Sequence, residues 1–248
     1  MFSKLLSSVF VALTLFSGCG ASTQQVELPP AYAPQYTHQS VKQGQGANSI
    51  SIALIKPTFS VGYRMASRMP EMDGAYVEAV NRSLLNYFTT NAFTVAGPFD
   101  NMEAMTFPEK KQADLVLQTE VDYRWTLPDI KKAAEKTATT WWDGAIDHTI
   151  SASGTMKLTG TVKFTLWEPL SGQRMWSKDV AASETVQTIN IDKTTSNELF
   201  MRIWNNAASK VLEANFKETL RQAERYFHPD EVRLVKAQAV ELRAKKVY

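Results

Sequence analysis

The sequence predicts an α+β protein: a mixed sheet with helices packed on one face, followed by C-terminal helices. Three observations carry this expectation. Short apolar runs at 50–55 and 93–97 bracket a stretch of helical periodicity, giving β-α-β order. Two longer segments, 114–125 and 155–167, alternate apolar and polar residues as half-buried strands do. From Ser196 onward apolar residues recur at helical spacing.

The elements follow in order. Residues 50–55 form a mostly apolar run ended by Pro57, which reads as a buried strand. Val77, Val80, Leu84, Tyr87 and Phe88 then mark an amphipathic helix, with Asp73 placed to cap it. FTVAG is a second strand, closed by Gly97-Pro98, and DNMEAMTF reads as a short helix. In ADLVLQTEVDYRW, Leu115, Leu117, Val121, Tyr123 and Trp125 face one way. Asp114, Gln118, Glu120, Asp122 and Arg124 face the other.

Residues 126–149 break the alternation. Leu127-Pro128-Asp129 opens the segment, Lys131, Lys132 and Lys136 follow, and Trp141-Trp142 lies near its end. It reads as a long connection with room for a short helix. In TMKLTGTVKFTLW, Met156, Leu158, Val162, Phe164 and Leu166 share a core face, and threonines and lysines share the other. EPLSG is a hairpin loop and QRMWSKDVAASETV the returning strand. Leu199, Ile203, Ala207, Val211 and Ala214 form the expected core stripe of a helix, which Pro229 interrupts. A charged helix then runs to Lys246, with Val232, Val235, Ala239 and Leu242 set to dock on this domain or on a partner.

Composition narrows the function. A chain of 248 residues with 44% hydrophobic content buries a core without staples. Net charge of +2, with no dominant basic stripe, points away from nucleic acid. A single cysteine leaves no disulfide framework and no cysteine-based metal site. There is no P-loop and no nucleophile elbow. Asp147 and His148 are adjacent, so on a strand they point apart. Asp114, Glu120 and Asp122 share a strand face, which admits a carboxylate pair but reads better as a salt-bridged wet face. The expectation is a protein that is not an enzyme and carries no cofactor and no metal.

The N-terminus reads as an export signal. One lysine precedes an apolar run from Leu5 to Phe16, too short to span a bilayer. It ends LFSGC, which resembles the lipobox of bacterial lipoproteins, where the signal is cut before the cysteine and the thiol is acylated. The resemblance implies lipidation, palmitate included, at Cys19. Gly20, in place of the aspartate that retains lipoproteins at the inner membrane, implies the outer membrane. Four regions follow: a signal peptide (1–18), a lipidated flexible tether (19–48), an α+β core domain (49–215) and a C-terminal helical extension (216–248).

ISIALIKPTF, FTVAGPFD, ADLVLQTEVDYRW and GTVKFTLWEPLSGQRMW, with the helical tail, resemble the neuraminyllactose-binding hemagglutinin family of flagellar-sheath adhesin lipoproteins. The most specific piece is the strand–turn–strand around WEPLSG. The pattern through ADLVL also resembles the small α/β domain of curli-secretion and Tol-type envelope proteins. The family resemblance implies a lipid-anchored binding module of the outer membrane or flagellar sheath. Its partner would be a sialylated glycan, or alternatively an envelope or flagellar protein. The family's basic run corresponds to LPDIKKAAEKT, which carries Lys131, Lys132 and Lys136 over, with lysine where arginine would clamp a carboxylate bidentately. Trp141 and Trp142 in the same segment would add an aromatic face. The same lysines also fit a solvated face, and the tryptophans a loop packed onto the sheet.

Overall fold

The structure is a computed structural model that describes residues 32–38, 49–59, 70–136, 146–194 and 196–245. Among them eight strands form one open mixed sheet, and four helices accompany it. Strand β1 (Ser51–Ile55) lies between β3 (Thr94–Phe99) and β4 (Leu115–Thr126), parallel to both, and α1 (Pro70–Thr90) makes the crossover. β2 (Thr58–Phe59) adds a short parallel pairing to β4 at Glu120 and Val121. This is the expected β-α-β unit.

The sheet is organised by β6 (Ile146–Glu168), a strand of 23 residues, far longer than its alternating segment suggested. Its C-terminal half pairs antiparallel with β4 on one side and β7 (Gln173–Ala181) on the other. Its N-terminal half pairs with β5 (Asp129–Lys136) and β8 (Val186–Thr194). The register slips by one between Thr126↔Lys157 and Asp129↔Ser153, and there the buried Pro128 packs over Gly154. That slip lets β5 continue β4 along the same strand. Residues 129–136 and 146–149 are therefore sheet, not the long connection expected.

Helix α3 (Asn197–Tyr226) starts as the sequence predicts, with Ser196 Oγ accepting from the Leu199 amide, and runs unbroken through residue 215. Its buried stripe lies beside the expected one. Phe200, Trp204, Ala208, Leu212, Phe216, Leu220 and Ala223 are buried, as is Val211, while Leu199 and Ile203 are each 37% exposed. Helix α4 (Pro229–Lys245) packs Val232, Val235 and Ala239 into the main core, so it docks on its own domain. That core sits between the sheet and the helices α1, α3 and α4. A second cluster sets Ile150, Ala152, Met156, Ile189 and Ile191 of the far arm against Phe200 and Trp204, whose rings stack at 5.6 Å.

Two local expectations need correction. Asp73 lies inside α1 and is buried, because the helix starts earlier, at Pro70. DNMEAMTF is not itself a helix: residues 100–105 make turns and bends, only Phe107 enters a helix, and Met105 packs on Ala53, Ile55 and Val116 on the sheet's other face. The short helix α2 (Phe107–Gln112) begins where Thr106 and Glu109 close a capping box.

Candidate functional site

Lys131, Lys132 and Lys136 all fall on β5, an edge strand whose only pairing among the described residues is to β6. Lys131 stands opposite Ser151 and Lys132 opposite Ile150, and both are exposed. Neighbouring residues on a strand point to opposite faces. Lys132 shares the side of Ile130 and Ile150, which carry the second core, and Lys131 shares the polar side with Ser151 and Asp129. The two lysines therefore do not converge on one carboxylate. The backbone of Lys136 ends β5 opposite Ile146. Trp141, Trp142 and Cys19 lie outside the described residues. The Thr/Lys face of β6 is exposed at Thr155, Lys157 and Thr159, half-buried at Thr161 and Lys163, and buried at Thr165; Lys163 lies between Glu120 and Asp179 in register. Asp114 is taken up structurally, accepting from the Ser51 amide at 2.7 Å and pairing with Lys236 at 2.8 Å.

A different feature was not legible as a site in the sequence. Within the tract read as tether, residues 32–38 (YAPQYTH) pack as an extended strap against the helical layer. Tyr32 and Tyr36 lie on the main core. The His38 ring meets Tyr36 edge to face at 5.0 Å and lies tilted against Tyr87 of α1 at 5.4 Å. Glu224 of α3 gathers the strap's polar ends. Its carboxylate meets His38 Nδ1 at 2.9 Å and accepts from Tyr36 Oη at 3.3 Å, while its backbone carbonyl accepts from Tyr87 Oη at 3.2 Å. The His38 side chain is only 3% exposed and that of Glu224 14%, so this contact is nearly dry.

Burial, then the Glu224 carboxylate, pushes the Tyr36 and Tyr87 phenols above their usual range. Burial also raises Tyr32, ahead of Glu213, and its Oη has no hydrogen-bond partner among the described residues. Two open clefts border the strap. One, of about 680 Å³, lies against α1 and is lined by Pro34, Tyr36, Arg82, Ser83 and Asn86. The other, of about 480 Å³, lies toward α3 and is lined by Tyr36, Thr37, Thr185, Lys217 and Arg221. Gln35 borders both. The available sequence signal was two tyrosines and a histidine within a Gln/Ser/Gly-rich tract, where disorder-prone composition carries few aromatics.

No protein-family model and no curated protein matches the chain. Among solved structures, the fold is similar to that of a neuraminyllactose-binding hemagglutinin homolog from Helicobacter pylori. The identity is 15%, the match covers 84% of this chain and 99% of that one, and the TM-score is 0.59. A DUF330 protein from Xanthomonas campestris (11% identity, 76% of this chain and 91% of that one, TM-score 0.28) overlaps more loosely. So does a hypothetical protein from Chlamydia trachomatis (12% identity, 71% and 96%, TM-score 0.33). The relationship is one of fold. No helix among the described residues is long and apolar enough to cross a membrane.

Proposed function

We propose that the protein is a non-enzymatic, lipid-anchored binding module of the outer membrane, attached through Cys19. On this reading it acts as a surface or flagellar-sheath adhesin-like protein for a sialylated glycan. The observation that carries the reading is the match to the hemagglutinin homolog, which takes in 99% of that chain. The LFSGC sequence supports the anchor. Because the strap is seated from Tyr32, only about a dozen residues separate Cys19 from the folded body. Fully extended they reach roughly 40 Å, so the body would stay near the bilayer.

Two measurements test the two halves of the proposal. Cys19→Ser should abolish acylation and release the protein from the membrane fraction, and unchanged retention would refute the anchor. The mature protein on a glycan array should bind sialylated structures above their desialylated counterparts, and equal signals would refute the glycan reading.

A second reading has its own support. Lys131 and Lys132 point to opposite faces of an edge strand, an arrangement poor for clamping a carboxylate. That favours a structural or assembly lipoprotein of the envelope or flagellar sheath that binds protein. Stoichiometric recovery of one envelope protein after cross-linking on intact cells, together with a silent glycan array, would establish it.

A further inference from the structure

We infer that the groove between α1 and α3 is a docking site for an extended, tyrosine- and proline-containing peptide, with the chain's own residues 32–38 as its resident occupant. Four observations carry this. First, the strap is held by side chains: Tyr32 and Tyr36 on the core, His38 between Tyr36 and Tyr87, and two polar contacts to the Glu224 carboxylate. None of its backbone groups bonds to a described backbone group. A sheet partner or a helix is held by a ladder, whereas this segment is held as a peptide ligand is held, by a few anchors. Second, the anchors are spaced for an extended chain. Tyr32 meets the groove near Asp73 and Glu213, Tyr36 near Arg82 and Arg221, and His38 at Tyr87 and Glu224. Third, the groove is wider than its occupant, since a cleft remains along each side of Gln35 and Tyr36. Fourth, the Tyr32 Oη is buried without a hydrogen-bond partner among the described residues, so the resident segment fits imperfectly at that end.

The chemistry of the occupant follows from the groove. Glu224 asks for a donor or cation at one end, met here by His38. The Tyr87 and core surface asks for aromatic rings, and proline keeps the segment extended with little entropy to lose. Ordering seven residues costs about what burying three aromatic rings returns, so the strap is poised to exchange. A partner segment with two aromatic residues around a proline and a basic end would take its place. The inference stands apart from the glycan reading and from the anchor, and loss of either leaves it unchanged.

The test uses the full chain. In the unmodified protein, amide exchange at Gln35, Tyr36, Thr37 and His38 should run at least tenfold faster than in the centre of β6, through local opening. Exchange at the β6 rate would make the strap a permanent part of the core and overturn the inference. Tyr36→Ala/His38→Ala should raise strap exchange a further tenfold while β6 stays protected. A fluorescent synthetic peptide of sequence YAPQYTH should then bind this variant at least tenfold tighter than the unmodified protein. Equal binding to both, or to neither, would overturn the groove as a peptide site. A concentration-dependent dimer of the unmodified protein that is lost in the double variant would identify a second copy's strap as the partner.

Discussion

Arg243, in the last turn of α4, closes its Nε at 2.7 Å on Oε1 of Glu168, a residue with no exposed surface at the end of β6. The same carboxylate accepts from the amides of Leu170 and Ser171 in the hairpin loop, at 3.1 and 2.6 Å. Arg243 Nη2 donates to the carbonyl of Ala113 at 2.7 Å. One side chain thus ties the WEPLSG turn, the entry to β4 and the C-terminal helix together. Arg243→Met should cost about 3 kcal/mol, since it strips a buried carboxylate of its cation. Urea denaturation measures this, and a loss under about 1 kcal/mol would mean the loop amides suffice.

The same pair sets an acid limit. Burial pushes the Glu168 carboxyl up, but hydrogen bonds from Ser171, Arg243 and Leu170 outweigh it and hold the group below its usual range. A depressed folded pKa stabilises the fold above the unfolded value, about 4.3, and that contribution is lost as pH falls through the folded value. The stability gap between the unmodified protein and Glu168→Gln should be largest at neutral pH and close on acidification. Denaturation midpoints from neutral pH down to about pH 3 would show it, and a gap independent of pH would contradict the assignment.

Gly160 faces Tyr123 in the β4–β6 ladder at φ +111°. A Cβ there would stand 1.9 Å from the backbone oxygen of Asp122, so the two longest pairing strands would have to part. Gly160→Ala should cost at least about 3 kcal/mol. Gly172, in the hairpin loop at φ +63° with nothing within 4 Å of an added Cβ, is the control. Gly172→Ala should cost only about 1–2 kcal/mol, the left-handed backbone penalty alone. Similar losses at both sites would show that backbone conformation, not the strand contact, governs Gly160.

Tyr76, Tyr123 and Thr219 share a buried hydroxyl cluster with oxygen separations of 3.2, 3.4 and 3.3 Å. Burial, then the Tyr123 charge, drives Tyr76 well above its ordinary range, and burial likewise raises Tyr123. The fold therefore favours the neutral phenols. That stabilisation is complete below the unfolded value near 10 and is lost as pH rises above it. In alkaline titration, the ultraviolet signal of Tyr76 and Tyr123 ionisation should appear together with loss of circular dichroism. Ionisation of all tyrosines before unfolding would refute the buried cluster.

How much of this was legible depended on how one-sided each element is. β4 and the C-terminal half of β6 alternate because one face meets the helices and the other meets water, which is what a period of two records. β5 left no such trace: Lys131, Lys132 and Ala133 are all exposed, and an edge strand with one neighbour needs no apolar face. The stripe of α3 was misread by one position because the helix carries two adjacent apolar rows. The buried row includes Asn215 and Thr219, whose polar side chains have partners inside, Asn215 donating to the Val211 carbonyl at 2.8 Å and accepting from the Ser183 amide. The strap escaped notice because composition averages over a tract, while docking depends on Tyr32, Tyr36 and His38 meeting surfaces far away in sequence, such as Glu224.

The split of Lys131 and Lys132 across β5 gives the glycan reading an asymmetric signature. If an acidic sugar binds beside the strand, it meets the polar side with Lys131, Ser151 and Asp129, or the side of Lys132, Ile130 and Ile150, but not both. A charge-assisted contact to a carboxylate is worth about 1.5–3 kcal/mol, a roughly tenfold to hundredfold change in affinity. One of Lys131→Ala and Lys132→Ala should therefore weaken binding at least tenfold while the other leaves it within about twofold, because an exposed lysine beyond contact is largely screened. Titration of each single variant with a sialylated oligosaccharide decides between the faces. Equal, partial losses in both would point to nonspecific attraction by the basic edge, and no loss in either would move any glycan site away from β5.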